Sequence, residues 1–322
     1  MISIFVHRAG VTDVVTRVVP EWLKADSGVT LWVDLAAPTE EEFRVLRDPF
    51  AFHALAIEDA VSEVHHPKIE SYQRFLYVIL HGIDFQASRH RFATHDTDFF
   101  LGTNYLVTVH DGKTRTIEAM RSVCTRNDRV LAEGPVALLH RIVDAMVDHY
   151  RPEVEKLEDR LDGLERDVFE QPRRNLIREI LGVKRDVISL RRVVLPQRDV
   201  IGRLARREFS IISDEMAYRF RDVYDHLVRL SDEALIYQDR VTGILDAHLT
   251  SVSNRLNQQM KVLTLVTTIA VPFTVLGGLF GMNVHLPGVT GEGDTVAFWW
   301  ILALAVGMVA LMVFALRRLR LL

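Results

Sequence analysis

Alternate steps of four and three from Asp246 reach Thr250, Ser253, Asn257, Met260, Thr264, Thr267, Val271, Thr274, Gly278 and Gly281. That spacing averages about 3.5 residues, the period that keeps one edge of a helix turned toward its partners in a bundle. An ordinary bundle seam would be Leu and Ile. This one is mostly small or polar, even where the neighbouring residues are apolar enough to face lipid. Carboxylate and carboxamide groups such as Asp246 and Asn257 need water or a partner. Repeated around a symmetry axis, they would form rings along a wet path. Met260 and Val271, with Leu263 beside the seam, would then form constrictions that gate by dewetting. The competing reading is a dry, close-packed helix interface, which Gly and Thr also favour in membranes; Asp246 and Asn257 weigh toward the wet path.

Such a seam needs a very long helix. Ser213 is a good N-cap, and Asp214 and Glu215 suit the positive end of the helix dipole. Between Asp214 and Val271-Pro272 no Pro and no Gly pair interrupts the pattern. An unbroken helix to Phe280 would extend roughly 100 Å at 1.5 Å per residue, too long for a globular domain. Its far end, 262–280, carries no charged side chain, and neither does 297–316. Each approaches the ~20 residues that cross ~30 Å of hydrocarbon. Arg255 and Lys261 precede the first run, and Arg317, Arg318 and Arg320 follow the second. The loop between, 281–296, holds only Glu292 and Asp294. By the positive-inside rule both termini lie in the cytoplasm, with Trp299 and Trp300 at an interface. Two spans cannot enclose a pore, so the seam requires an oligomer.

The rest of the 322 residues bounds the class. A formal net charge of −4 argues against nucleic acid as partner. The single Cys124 excludes an intramolecular disulfide framework and suits a reducing compartment. The first seven residues are too short and too soon charged for a signal peptide. Strands are expected at 1–8, 29–36, 74–83, 97–102 and 105–110, with a helix start capped by Thr39 ahead of Glu40, Glu41 and Glu42. From about 113 the pattern is helical, with one helix from Pro135 to Glu170 and a second from Arg174 to Arg207. The expected fold is an α+β membrane protein: a cytoplasmic α/β domain with a helical layer (1–212), a stalk (213–261), a pore-lining span (262–280), an external loop (281–296), an outer span (297–316) and a basic tail (317–322).

Gly281-Met282-Asn283 closes the first of the two spans. The triplet, the segment 260–283 around it, FRDVYDH (220–226), SVSNRLN (251–257) and HPKIESYQRFLYVIL (66–80) together resemble the CorA family of divalent cation transporters over nearly the whole chain. The resemblance implies a funnel-shaped homopentamer in the cell (inner) membrane that passes hydrated Mg²⁺ inward. Gly281, Met282 and Asn283 would form the mouth, where carboxamide oxygens hold the ion through waters that Mg²⁺ gives up reluctantly. Asp246, Asn257, Met260, Leu263, Val271, Thr274 and Gly278 match pore-facing positions, and Arg317, Arg318 and Arg320 would form a basic ring. Regulatory Mg²⁺ between neighbouring subunits would fall on Glu58, Asp59 and Asp222, with Asp144 a looser match.

The loop VHLPGVTGEGDT (284–295) departs from the family pattern in where its acids stand. LRRVVLPQRDV (190–200) resembles the zinc-transporting branch, so Zn²⁺, Co²⁺ or Ni²⁺, and a proton-coupled mechanism, remain alternatives to Mg²⁺. A membrane-tethered scaffold with no transport role is a third class. His65-His66 reads as a solvated turn, His248 and His285 as neighbours of the stalk and mouth, and the charged stretch 153–170 as a solvated helix face. Cys124 has no nucleophilic partner, and Walker, GxGxxG and CxxC motifs are absent, which disfavours an enzyme or an ATP-driven pump.

Overall fold

The computed structural model describes residues 1–62, 66–86, 91–170, 175–281 and 295–318. The strands are β1 (Ile2–Arg8), β2 (Val11–Val15), β3 (Thr30–Ala36), β4 (Lys68–Ser71), β5 (Leu76–Gln86), β6 (Arg91–Leu101) and β7 (Tyr105–His110). The helices are α1 (Arg44–Arg47), α2 (Ala54–Val61), α3 (Arg115–Arg126), α4 (Arg129–Ala132), α5 (Pro135–Asp148), α6 (Tyr150–Glu170), α7 (Leu176–Ala205), α8 (Asp214–Phe280) and α9 (Thr295–Arg318). The chain forms two compact units, Met1–Leu245 and Asp246–Leu322, with the boundary inside α8.

In the first unit the strands make one sheet in the order β2-β1-β3-β7-β6-β5-β4. The β3–β7 pair is parallel and the other pairs are antiparallel. Both faces are covered, so the central strands read as unbroken apolar runs rather than alternating ones; all six residues of β7 are buried. On one face Ile4, Val6, Leu31, Val33, Ile79, Phe100 and Val107 pack with Phe52, Ala56 and Ile57 from around α2. The alternate side chains, among them Phe5, Trp32, Val78 and Phe99, are buried beneath the later helices. The sequence reading missed β2 and β4. Both are short edge strands paired on one side only, and edges favour polar residues such as Asp13 and Lys68 that blur the alternation.

Past the end of β4, His81 has a strand partner only on its β6 side, opposite Asp96, and its free edge is taken up by side chains. Gln197 Oε1 accepts its N–H at 3.0 Å and the Tyr150 hydroxyl donates to its carbonyl at 2.6 Å, which ties α7 and α6 to the middle of β5. These buried groups would otherwise be left unpaired.

The single helix expected over 135–170 is two. Gly134, at φ 94°, turns the chain so that Pro135 opens α5, and α5 ends at Asp148. The break follows from Pro152, which has no N–H to give the Asp148 carbonyl and whose ring crowds it. The long third helix starts where the cap predicts: the Met216 N–H donates to Ser213 Oγ at 3.3 Å, and α8 continues for 67 residues. Within the first unit it buries Phe220, Val223, Leu227, Leu230, Ala234, Tyr237, Val241 and Ile244 at three- and four-residue spacings. Arg240 on its outer flank pairs with Asp162 and Glu165 of α6.

The second unit consists, in its described part, of the remainder of α8 and α9. Each contains a window long and apolar enough to cross a membrane, and only 11% and 6% of those windows is buried within the chain. A core helix of a soluble protein would be mostly covered.

Candidate functional site

Every seam position from Asp246 to Gly281 is exposed: Asp246, Thr250, Ser253, Asn257, Met260, Thr264, Thr267, Val271, Thr274, Gly278 and Gly281, with Leu263 alongside. The covered edge of the apolar segment is elsewhere, at buried Pro272 and Leu276 and half-buried Leu265 and Thr268. At about 100° per residue, the centre of the seam lies roughly 130° around the helix from that edge. Intrachain packing therefore uses one side of α8 and leaves the polar side open.

The threonines on the open side are uniformly arranged. Thr250, Thr264, Thr267 and Thr274 each donate to the carbonyl four residues back, at 2.8 to 2.9 Å. With the hydroxyl proton used on the helix itself, each oxygen presents only lone pairs outward. Water bound to a cation points its hydrogens away from the ion, so a ladder of acceptors matches a hydrated cation. His248 is off this edge: its side chain is buried.

Gly281 ends the helix, its N–H donating to the Gly277 carbonyl at 2.9 Å. A Cβ there would sit 2.7 Å from that same oxygen, so any larger residue would force the turn out of the helix to shift. Met282 and Asn283 lie outside the described residues, as do His65, His285, Glu292, Asp294 and Arg320. Arg317 and Arg318 stand exposed in the last turn of α9, where cations oppose the negative end of the dipole.

The four expected regulatory carboxylates separate into two pairs within one chain. Glu58 is exposed on α2, and its neighbour Asp59 is paired with Lys68 Nζ at 2.5 Å. Lys68 also binds Glu70 at 2.9 Å. Burial disfavours its charge, but the bonds from Asp59 and Glu70 outweigh that and raise its pKa. Beneath it the Tyr77 hydroxyl donates to Asp98 at 2.5 Å, and burial pushes the Asp98 carboxyl up to about 7 despite that bond. The second pair is on the opposite face of the sheet. Asp144 of α5 has its pKa raised, first by burial and then by Asp148 and Asp222, with His140 and His226 acting the other way. The structure thus brings Asp144 within electrostatic reach of Asp222 on α8, and adds Asp148 and two histidines the sequence reading did not single out. His226 stands one turn after Asp222 in FRDVYDH, a spacing that was visible beforehand. Among the described residues no three His, Cys, Asp or Glu side chains form a closed cage within the chain. Cys124 is buried, and burial pushes its thiol up to about 12, which makes it inert.

Residues 27–318 match the family model described as "CorA-like Mg2+ transporter protein". The chain is 30% identical over 261 residues to the cobalt/magnesium transport protein CorA of Thermotoga maritima, covering 80% of this chain and 74% of that protein. It is 32% identical over 170 residues to the zinc transport protein ZntB of Cronobacter sakazakii, covering 52% and 49% respectively. The complete structure of the CorA magnesium transporter from Methanocaldococcus jannaschii superposes with a TM-score of 0.81 at 24% identity, covering 99% of this chain and 98% of that one. The two long, uncovered apolar helices, the strand-and-helix unit that precedes them and these matches place the chain in the CorA-like Mg²⁺ transporter family of divalent metal ion transporters.

Proposed function

We propose that the protein is a homopentameric channel of the cell's inner membrane that admits hydrated Mg²⁺, with both termini in the cytoplasm. The observation that carries this reading is the open edge of α8: acceptor-only threonines, Asn257 and Asp246 stay exposed while the chain packs its other side. Copies arranged about an axis would join these groups into rings that solvate the ion through its own water. Gly281, Met282 and Asn283 would form the mouth. The flanking Arg255, Lys261, Arg317 and Arg318 support the orientation. The driving force is the membrane potential, roughly 4 to 5 kcal/mol per 100 mV for a dication, at ~2.3 per charge.

In this reading internal Mg²⁺ closes the pore by bridging Glu58 and Asp59 of one subunit to Asp222 of the next, with Asp144 nearby. Hard oxygen ligands suit Mg²⁺, and its loss would leave like charges to repel. The likeness to a zinc transport protein over half the chain supports a second reading, Zn²⁺ transport with or without a proton gradient.

Flux into proteoliposomes decides between them. Mg²⁺ uptake that follows an imposed potential and ignores a pH gradient is the expected result. Zn²⁺ uptake that collapses without the proton gradient would transfer the assignment to the second reading, and uptake of neither ion would refute both.

A further inference from the structure

A small cavity of about 60 Å³ lies in the first unit, far in sequence from the seam, where β6, the start of α3 and the α5–α6 joint meet. His95, Thr114, Thr116, His149 and Glu153 line it. His149 Nδ1 is 2.5 Å from the Ala145 carbonyl. A carbonyl only accepts, so Nδ1 carries the proton and Nε2 presents a lone pair. His95 Nδ1 is 2.9 Å from Asp111 Oδ2, and the same logic leaves its Nε2 as an acceptor. An imidazole with its Nδ1–H tied to a carbonyl or carboxylate is the arrangement that readies Nε2 for a metal.

Glu153 supplies the anionic partner. Lys156 occupies its Oε1 at 2.8 Å, while Oε2 is buried with no hydrogen-bond partner. His149 and Glu153 are four residues apart with helical backbone at His149, so both face the same side. Thr114 is only 7% exposed, and its hydroxyl also lacks a partner. Orphaned buried oxygens at a cavity call for water or an ion. Lys113 and Arg115 border the cavity but are exposed, the Lys113 side chain by 74%.

We propose that His95, His149 and Glu153 bind a transition-metal dication of the Zn²⁺, Co²⁺ or Ni²⁺ class, with Thr114 holding a metal-bound water. Two nitrogens and one carboxylate suit these ions and not Mg²⁺, which takes oxygen ligands. The cavity has room for about two waters of ~30 Å³ each, or an ion and one water. Among the described residues no three donors already converge on one point, so the arriving ion draws the imidazoles inward. The site is independent of the pore, since it uses no seam residue.

The test is Co²⁺ titration of the purified full-length protein in detergent with excess Mg²⁺ to fill oxygen sites, read by visible d–d absorption. The expected result is about one equivalent per chain in an imidazole-containing site, weakened roughly tenfold or more in both His149→Ala and Glu153→Gln and unchanged in Lys113→Ala. Circular dichroism checks that the variants fold. Co²⁺ absorption identical in parent and both variants, or no Co²⁺ bound under Mg²⁺, means the cavity holds water only and overturns the proposal. Because the readout is binding, either result leaves the transport reading untouched.

Discussion

Lys68 of β4 holds Asp59 of α2 in an ion pair of 2.5 Å, so a carboxylate that family resemblance marks for Mg²⁺ already has a cation of its own. Any metal reaching Asp59 competes with that ammonium, and Glu58, exposed one residue earlier, is the easier ligand. Lys68→Met therefore should strengthen closure by internal Mg²⁺. The half-closing concentration is expected to fall about fivefold, equivalent to ~1 kcal/mol for a partly exposed ion pair. Flux at graded internal Mg²⁺ measures it; an unchanged midpoint would separate Asp59 from the sensor.

Asp222→Ala is expected to act in the opposite direction. It removes a proposed bridging ligand and, with it, the field that helps raise the Asp144 pKa. Closure should require more internal Mg²⁺ while maximal uptake in its absence stays as in the parent. Full inhibition at the parent's concentration would remove Asp222 from the regulatory set.

Asp98 gives the N-terminal unit a pH dependence of stability. Its folded pKa, about 7, exceeds the ordinary 3.8 because the carboxyl is buried. Below about 4 both states hold the proton. Between there and 7 only the folded state does, so stability falls as pH rises through that window and levels off above it. The total is at most about 4 kcal/mol. Asp98→Asn, which keeps an acceptor for Tyr77, should melt with the parent at low pH and above it at pH 8. Parallel melting curves across the range would contradict the assignment.

Asn283→Ala should abolish ion uptake and leave the assembly intact, since it removes the proposed carboxamide ring at the mouth without touching the described helices. Size-exclusion chromatography with light scattering gives the assembly and proteoliposome flux gives the activity. Normal flux would displace the selectivity step from Asn283.

Much of this molecule was legible as one-dimensional pattern. The Ser213 cap, the uninterrupted run to Phe280 and two charge-free spans are local properties, and helix formation with hydrocarbon burial depends on little else. The five central strands could be read for the same reason: burial on both faces writes continuous apolar runs. The edges β2 and β4 could not, because a strand with one neighbour is defined by pairing across the sheet. Pro152 was visible, but only the folded chain gave the break at His149 its consequence, bringing that imidazole to a cavity also lined by His95 of β6, a strand far away in sequence. Tertiary structure alone decided which charges meet: Lys68 with Asp59, and Asp144 with Asp222. Electrostatic partnership falls off with distance in space, and sequence separation says nothing about that distance.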